Sequence, residues 1–171
     1  MAQDDAISRL ARKIDATQRA ERLLVDAGEV AALRRRGASE LHRICAGFVA
    51  SVNERLTETP LELVPPDFTT EMYRETGVNL LQISSRGRAM QIVFEAPANL
   101  VSTDKFAISY VLEGEIRTYN QKMLEHSEIR SLSIFYCVEN QSAVWRFFDW
   151  RTRSTGPVSG ELLIGLIEPL F

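Results

Sequence analysis

The first of the six prolines in this 171-residue chain is Pro60. A stretch this long without proline, rich in Ala, Leu, Arg and Glu, favours helix. Apolar residues in it recur at intervals of three and four: Ile7, Leu10, Ile14, Leu23, Ala27 and Val30, then Leu41, Ile44, Phe48 and Val52. That spacing places them on one face of a helix. Two features interrupt the pattern. Asp26-Ala27-Gly28-Glu29 has the form of a helix restart, with Asp26 as N-cap and Glu29 three residues on. Gly37 follows Arg34-Arg35-Arg36 and costs about 1 kcal/mol relative to Ala inside a helix. The segment 1–58 therefore reads as one kinked helix or a helical hairpin, and the long helix is the expectation adopted.

From Pro60 the period falls toward two. Met90, Ile92 and Phe94 alternate with Ala89, Gln91 and Val93. Ile108, Tyr110, Leu112 and Ile116 form one set in the next segment, and Leu132, Ile134, Tyr136 and Val138 in the one after. Alternation of this kind makes strands with one face in the core. Ser84-Ser85-Arg86-Gly87, Ala96-Pro97-Ala98-Asn99 and Glu139-Asn140-Gln141-Ser142 supply turns. The expectation is five strands, near 78–84, 88–95, 106–119, 131–138 and 143–150, in an antiparallel meander, with a helical turn within 120–130. Thr155-Gly156-Pro157 reads as the start of a C-terminal helix, whose Leu162, Leu163, Leu166 and Ile167 pack on the sheet. The fold class is thus α+β: a helical segment, 1–58, and a compact body, 59–171.

Charge and composition exclude several classes. The net charge is −3, which argues against a globally basic nucleic-acid binder. Residues 1–58 carry 10 basic and 9 acidic groups, and the remainder 10 and 14. With acid at Asp4 and Asp5 and no apolar run behind it, the start lacks the form of a secretory signal. No stretch approaches the ~18 apolar residues of a membrane span. The protein is read as cytoplasmic, with no membrane association. Its two cysteines, Cys45 and Cys137, read as buried reduced thiols.

Chemical motifs are scarce. His42 and Cys45 lie one helical turn apart, but Cys45 shares the apolar face of Leu41 and Phe48, and a zinc site needs more ligands. His126 reads as a solvated loop residue. Glu113 and Glu115 point to one side of a strand, the side opposite Tyr110 and Leu112 and thus solvent, and Gly114 between them marks a bulge or a close backbone approach. No phosphate loop, nucleophile elbow or zincin motif is present. No catalytic residue, metal or cofactor is assigned. The arginines Arg34, Arg35, Arg36 and Arg43 read as a solvated helix face rather than a phosphate patch, because Asp26, Glu29 and Glu40 flank them.

The segment Val144–Arg153 holds both tryptophans and interleaves them with arginines. Buried aromatics make it a central strand with one face under each helical segment. If the domain carries a ligand or partner site, Trp145, Arg146, Trp150 and Arg151 are its candidates.

A helix of about 53 residues would be ~80 Å long, more than its own body can cover. The cheapest cover is a second copy. The expected function is therefore that of a noncatalytic interaction or assembly protein, self-associating through Ile7, Leu10, Ile14, Leu24, Leu41 and Phe48 as a homo-oligomer or docking to a partner helix. A small-molecule or lipid pocket near Phe94, Tyr110 and Trp145 is the alternative. Single-stranded nucleic-acid binding through the Trp/Arg strand is the third reading.

Overall fold

The structure, a computed structural model, describes residues 2–23, 26–139 and 142–171. Two N-terminal helices, α1 (Ala2–Leu23) and α2 (Ala27–Asn53), precede the sheet. The single long helix expected from the sequence is therefore divided. Asp26 adopts extended backbone (φ −83°, ψ 112°), and its side chain accepts the Gly28 N–H at 2.8 Å. This N-cap satisfies a donor that the helix start leaves unpaired, so α2 begins afresh here. At the other end, the Asn53 side chain clasps Leu61 twice, donating to its carbonyl and accepting its N–H. That clasp returns the chain from α2 to the sheet.

Seven antiparallel strands follow in sequence order: β1 (Glu62–Val64), β2 (Asn79–Ser85), β3 (Arg88–Glu95), β4 (Tyr110–Tyr119), β5 (Arg130–Glu139), β6 (Ser142–Asp149) and β7 (Ser154–Pro157). The five expected strands are β2 to β6, with β4 starting at Tyr110 rather than at 106. The two edge strands were not expected. β1 is three residues long beside Pro65-Pro66, and β7 is the Ser-Thr-Gly-Pro run read as a helix start. Short, proline-bounded edges leave little alternation to read. The short helix α3 (Gln121–Glu125) lies within 120–130, capped by Asn120. The last helix, α4 (Gly160–Ile167), starts at its Ser159 N-cap and lies beside α2.

One face of the sheet is the core. α2 crosses β1, β2, β4 and β6. Its Val30, Ala38, Leu41, Cys45, Phe48 and Val49 meet Ile83, Met90, Ile92, Phe94, Ile134 and Trp145, and Leu163 and Ile167 of α4 join the same cluster. Gly37 does not kink α2. It lets the Tyr136 ring reach the helix, since a Cβ there would stand 2.6 Å from that ring. Trp145 is fully buried, and its indole N–H donates to the Gly37 carbonyl at 2.7 Å. That bond leaves Gly37 O to accept from a side chain 108 residues away, tying β6 to the middle of α2.

A bulge between Tyr110 and Leu112 puts the consecutive Val111 and Leu112 on the same face. Leu112 enters the core, whereas Tyr110 joins Phe135 and Cys137 on the other side. The sequence pattern had placed Tyr110 and Leu112 together. The bulge also frees the Val111 carbonyl, which accepts from Arg34 Nε at 2.9 Å. Arg34 donates further to Leu100 O and Asn99 O and pairs with Glu75. It is a buried tie between α2 and the loop before β4, not part of a solvated face.

Candidate interaction surfaces

The four candidates of the Trp/Arg strand do not form one site. Trp145 belongs to the core under α2, packed edge-on against Phe94 at 5.8 Å. Arg146 lies on the opposite face, paired with Glu139 at 3.6 Å. Trp150 is 60% exposed, packed edge-on against Phe148, and donates to Ser133 Oγ at 3.0 Å. Arg151 is exposed, its N–H held by Asp149. Phe94 and Trp145 are both buried in the core under α2, and Phe94 also lines the cleft on the opposite face. Tyr110 lies across the sheet from both. The three residues expected to line one pocket are therefore split between the two faces of the sheet.

The face away from α2 is not uniformly open. The loop 96–109 folds over it, and Phe106 stacks on Phe135 at 4.9 Å. Beside this cluster is a cleft of about 470 Å³, lined by Glu95, Lys105, Glu113, Glu115, Arg117 and Phe135 among others. Its charges are mostly matched. Lys105 pairs with Glu113 at 2.9 Å, and this bond raises the Lys105 pKa. Burial alone would raise the Glu115 carboxyl, but Ser131 and Arg117 donate to it and hold it below its ordinary value. Glu113 and Glu115 do face away from Leu112, yet they line a cleft rather than open solvent.

The helical candidates also separate into two groups. Leu41 and Phe48 face the sheet and are buried. Ile7, Leu10 and Ile14 on α1 are 57%, 57% and 47% exposed. Leu24 lies outside the described residues. α1 touches the body at β5, and between 3 and 19 its partly covered residue is Ala16. At 100° per residue, Ala16 stands roughly 160° from the mean direction of Ile7, Leu10 and Ile14. The apolar stripe therefore points away from its own body.

A second apolar surface was missed in the sequence. Between α2 and α4 runs a groove of two adjoining hollows, about 290 and 950 Å³, both lined by Phe48, Val52, Leu56 and Ile164. Ile164 is 50% exposed, and Phe171 at one end is 69% exposed. The available signal was α4 itself, with Leu162, Leu163, Ile164, Leu166 and Ile167 spread over about 200° of the helix. Only Leu163 and Ile167 of these are buried.

Nucleophilic and metal chemistry finds no assembly here. Burial pushes the Cys45 thiol up to about 12 and that of Cys137 likewise to about 12. His42 Nε2 bonds with Pro65 O at 2.9 Å while the ring stacks on Phe68. His126 caps the end of α3 and is exposed. Among the described residues no three His, Cys, Asp or Glu groups cluster as metal ligands, and no helix is long and apolar enough to cross a membrane. No protein-family model matches the chain, nor does any curated protein or solved structure.

Proposed function

We propose that the protein is a noncatalytic interaction module that self-associates through α1. The observation that carries this reading is the direction of the α1 stripe. Three large aliphatic side chains share one face of a 22-residue helix, and the helix meets its own body with the opposite face. Most helical stability in proteins comes from packing an amphipathic face, so α1 gains stability by covering that face. A second copy always has the matching concentration and is the simplest source of cover.

The test is solution mass by light scattering over a range of concentrations. The full chain is compared with one beginning at Asp26, which keeps the N-cap and every core residue of α2. A cut at residue 38 would remove Val30 and Arg34 from the core. Self-association lost on truncation, with the body still folded, is the expected result. Monomers in both cases would overturn the reading.

The open-face cleft supports a second reading, a small-molecule site. Its size suits a ligand of modest volume, and Phe135 offers an aromatic wall beside paired charges. A thermal-shift panel of zwitterionic and aromatic amines checks it, with no stabilisation by any of them counting against it.

A further inference from the structure

We infer that the α2/α4 groove is the receptor for α1 of a second copy, so that two chains exchange their N-terminal helices. This rests on the self-association reading and specifies its partner surface. Pairing of two α1 stripes is the obvious rival, and the sequence argues against it. Continued along the helix, the seam runs Gln3, Ile7, Leu10, Ile14, Thr17, Glu21. Fewer than two heptads are apolar, whereas a coiled coil needs at least three or four. The stripe needs a broader apolar partner than itself.

The groove is such a partner. α4 carries large aliphatic residues over about 200° of its circumference, from Leu162 and Leu166 through Leu163 and Ile167 to Ile164, a wider arc than its buried Leu163 and Ile167 occupy. Its inner side is covered by the core, and its outer side, at Ile164, is open. The groove wall along α2 from Glu40 to Val52 is about 18 Å long, and Ile7 to Ile14 spans about 10 Å, so the stripe fits within it.

Charge fits one orientation of the helix. Lys13 and Arg9 lie about 95° and 135° to one side of the stripe, and Asp4 and Asp15 about 85° and 105° to the other. Across the groove, the α4 side presents Glu161 and Glu168, and the α2 side presents Arg43 and Arg55 together with Glu40, which accepts from the Tyr136 hydroxyl. The basic flank of α1 then meets α4 and the acidic flank meets α2. Among the described residues, Lys13, Arg9, Glu161 and Glu168 have no ion-pair partner within the chain. Each chain offers one helix and one groove. A twofold exchange uses both, closes the assembly and doubles the buried area of a single contact.

Cysteine cross-linking of the full chain tests this. Cys45 and Cys137 are buried with raised thiol pKa values, so engineered cysteines react first. Leu10→Cys and Ile164→Cys, both at exposed positions, are mixed and treated with a short bismaleimide. Leu10-to-Ile164 products are expected at least about tenfold over a mixture of Leu10→Cys with Thr103→Cys on the opposite face. Leu10-to-Leu10 products with none to Ile164, in a protein that remains dimeric, would overturn the groove and leave self-association standing. A single chain carrying both cysteines that closes on itself as a monomer would overturn it in favour of α1 folding back. Absence of any dimer would remove both readings.

Discussion

α1 and α2 are built from similar residues, yet α1 is exposed from residue 3 to residue 19 at all but Ala16, and α2 packs a face into the core. The difference lies in the width of the face each offers. α2 presents Val30, Ala38, Leu41, Cys45, Phe48 and Val49, with Gly37 admitting Tyr136 between them. That is a broad, small-and-large surface that a sheet can interlock with. α1 presents three aliphatics on a narrow line and reverts to polar residues at Thr17. Helix propensity is shared by both, and burial follows the breadth of the apolar face.

Substitutions of similar size on the two helices break or sharpen this contrast. Leu41→Ala on α2 removes a fully buried side chain and is expected to lower stability by about 2–5 kcal/mol in urea unfolding. The same change at Leu10 is expected to alter the stability of the dilute monomer by less than about 0.5 kcal/mol. Equal costs at the two sites would mean that α1 is part of the core.

Arg34→Ala is expected to cost about 3 kcal/mol, because the carbonyls of Val111 and Leu100 lose a buried donor. Arg12→Ala on α1 has no such partner among the described residues and is expected to be near neutral. A neutral Arg34→Ala would show that the tie across the bulge carries no weight.

Glycines give a smaller contrast within α2. Gly37→Ala drives a methyl into the Tyr136 ring and is expected to cost about 1–3 kcal/mol despite the gain in helix propensity. Gly47→Ala meets nothing within 4 Å and is expected to stabilise the helix by up to about 1 kcal/mol. Matching signs at the two positions would contradict the packing described.

The smallest effect is in pH. The folded state holds the Cys45 and Cys137 protons to about 12, against an ordinary value of 9.0. The folded chain therefore binds more protons than the unfolded one in that window. Stability is full below about pH 9 and declines as pH rises toward 12. Urea midpoints measured from pH 8 to 11 should fall, and less steeply in Cys45→Ala.

Much of the sheet was legible, because β2 to β6 each run for seven residues or more of apolar and β-branched sequence between turn signals. β1 and β7 were not, being too short to show a period. The break at Asp26 was visible only as a capping signature and was outweighed by the absence of proline. Arg34 was illegible for a different reason. Within Arg34-Arg35-Arg36 it looks solvated, and its partner carbonyl is 77 residues away at a bulge. The groove was hidden because two distant segments make it. In the Trp/Arg strand, Trp145 points to α2 and Trp150 does not, a distinction that depends on which helix covers which face.

Hydrogen exchange of α1, followed with protein concentration, tests the central claim most directly. α1 covered by a second copy predicts amide exchange over Asp4–Ile14 that slows as concentration rises, while α2 stays protected throughout. Exchange in α1 that is fast and independent of concentration would contradict it.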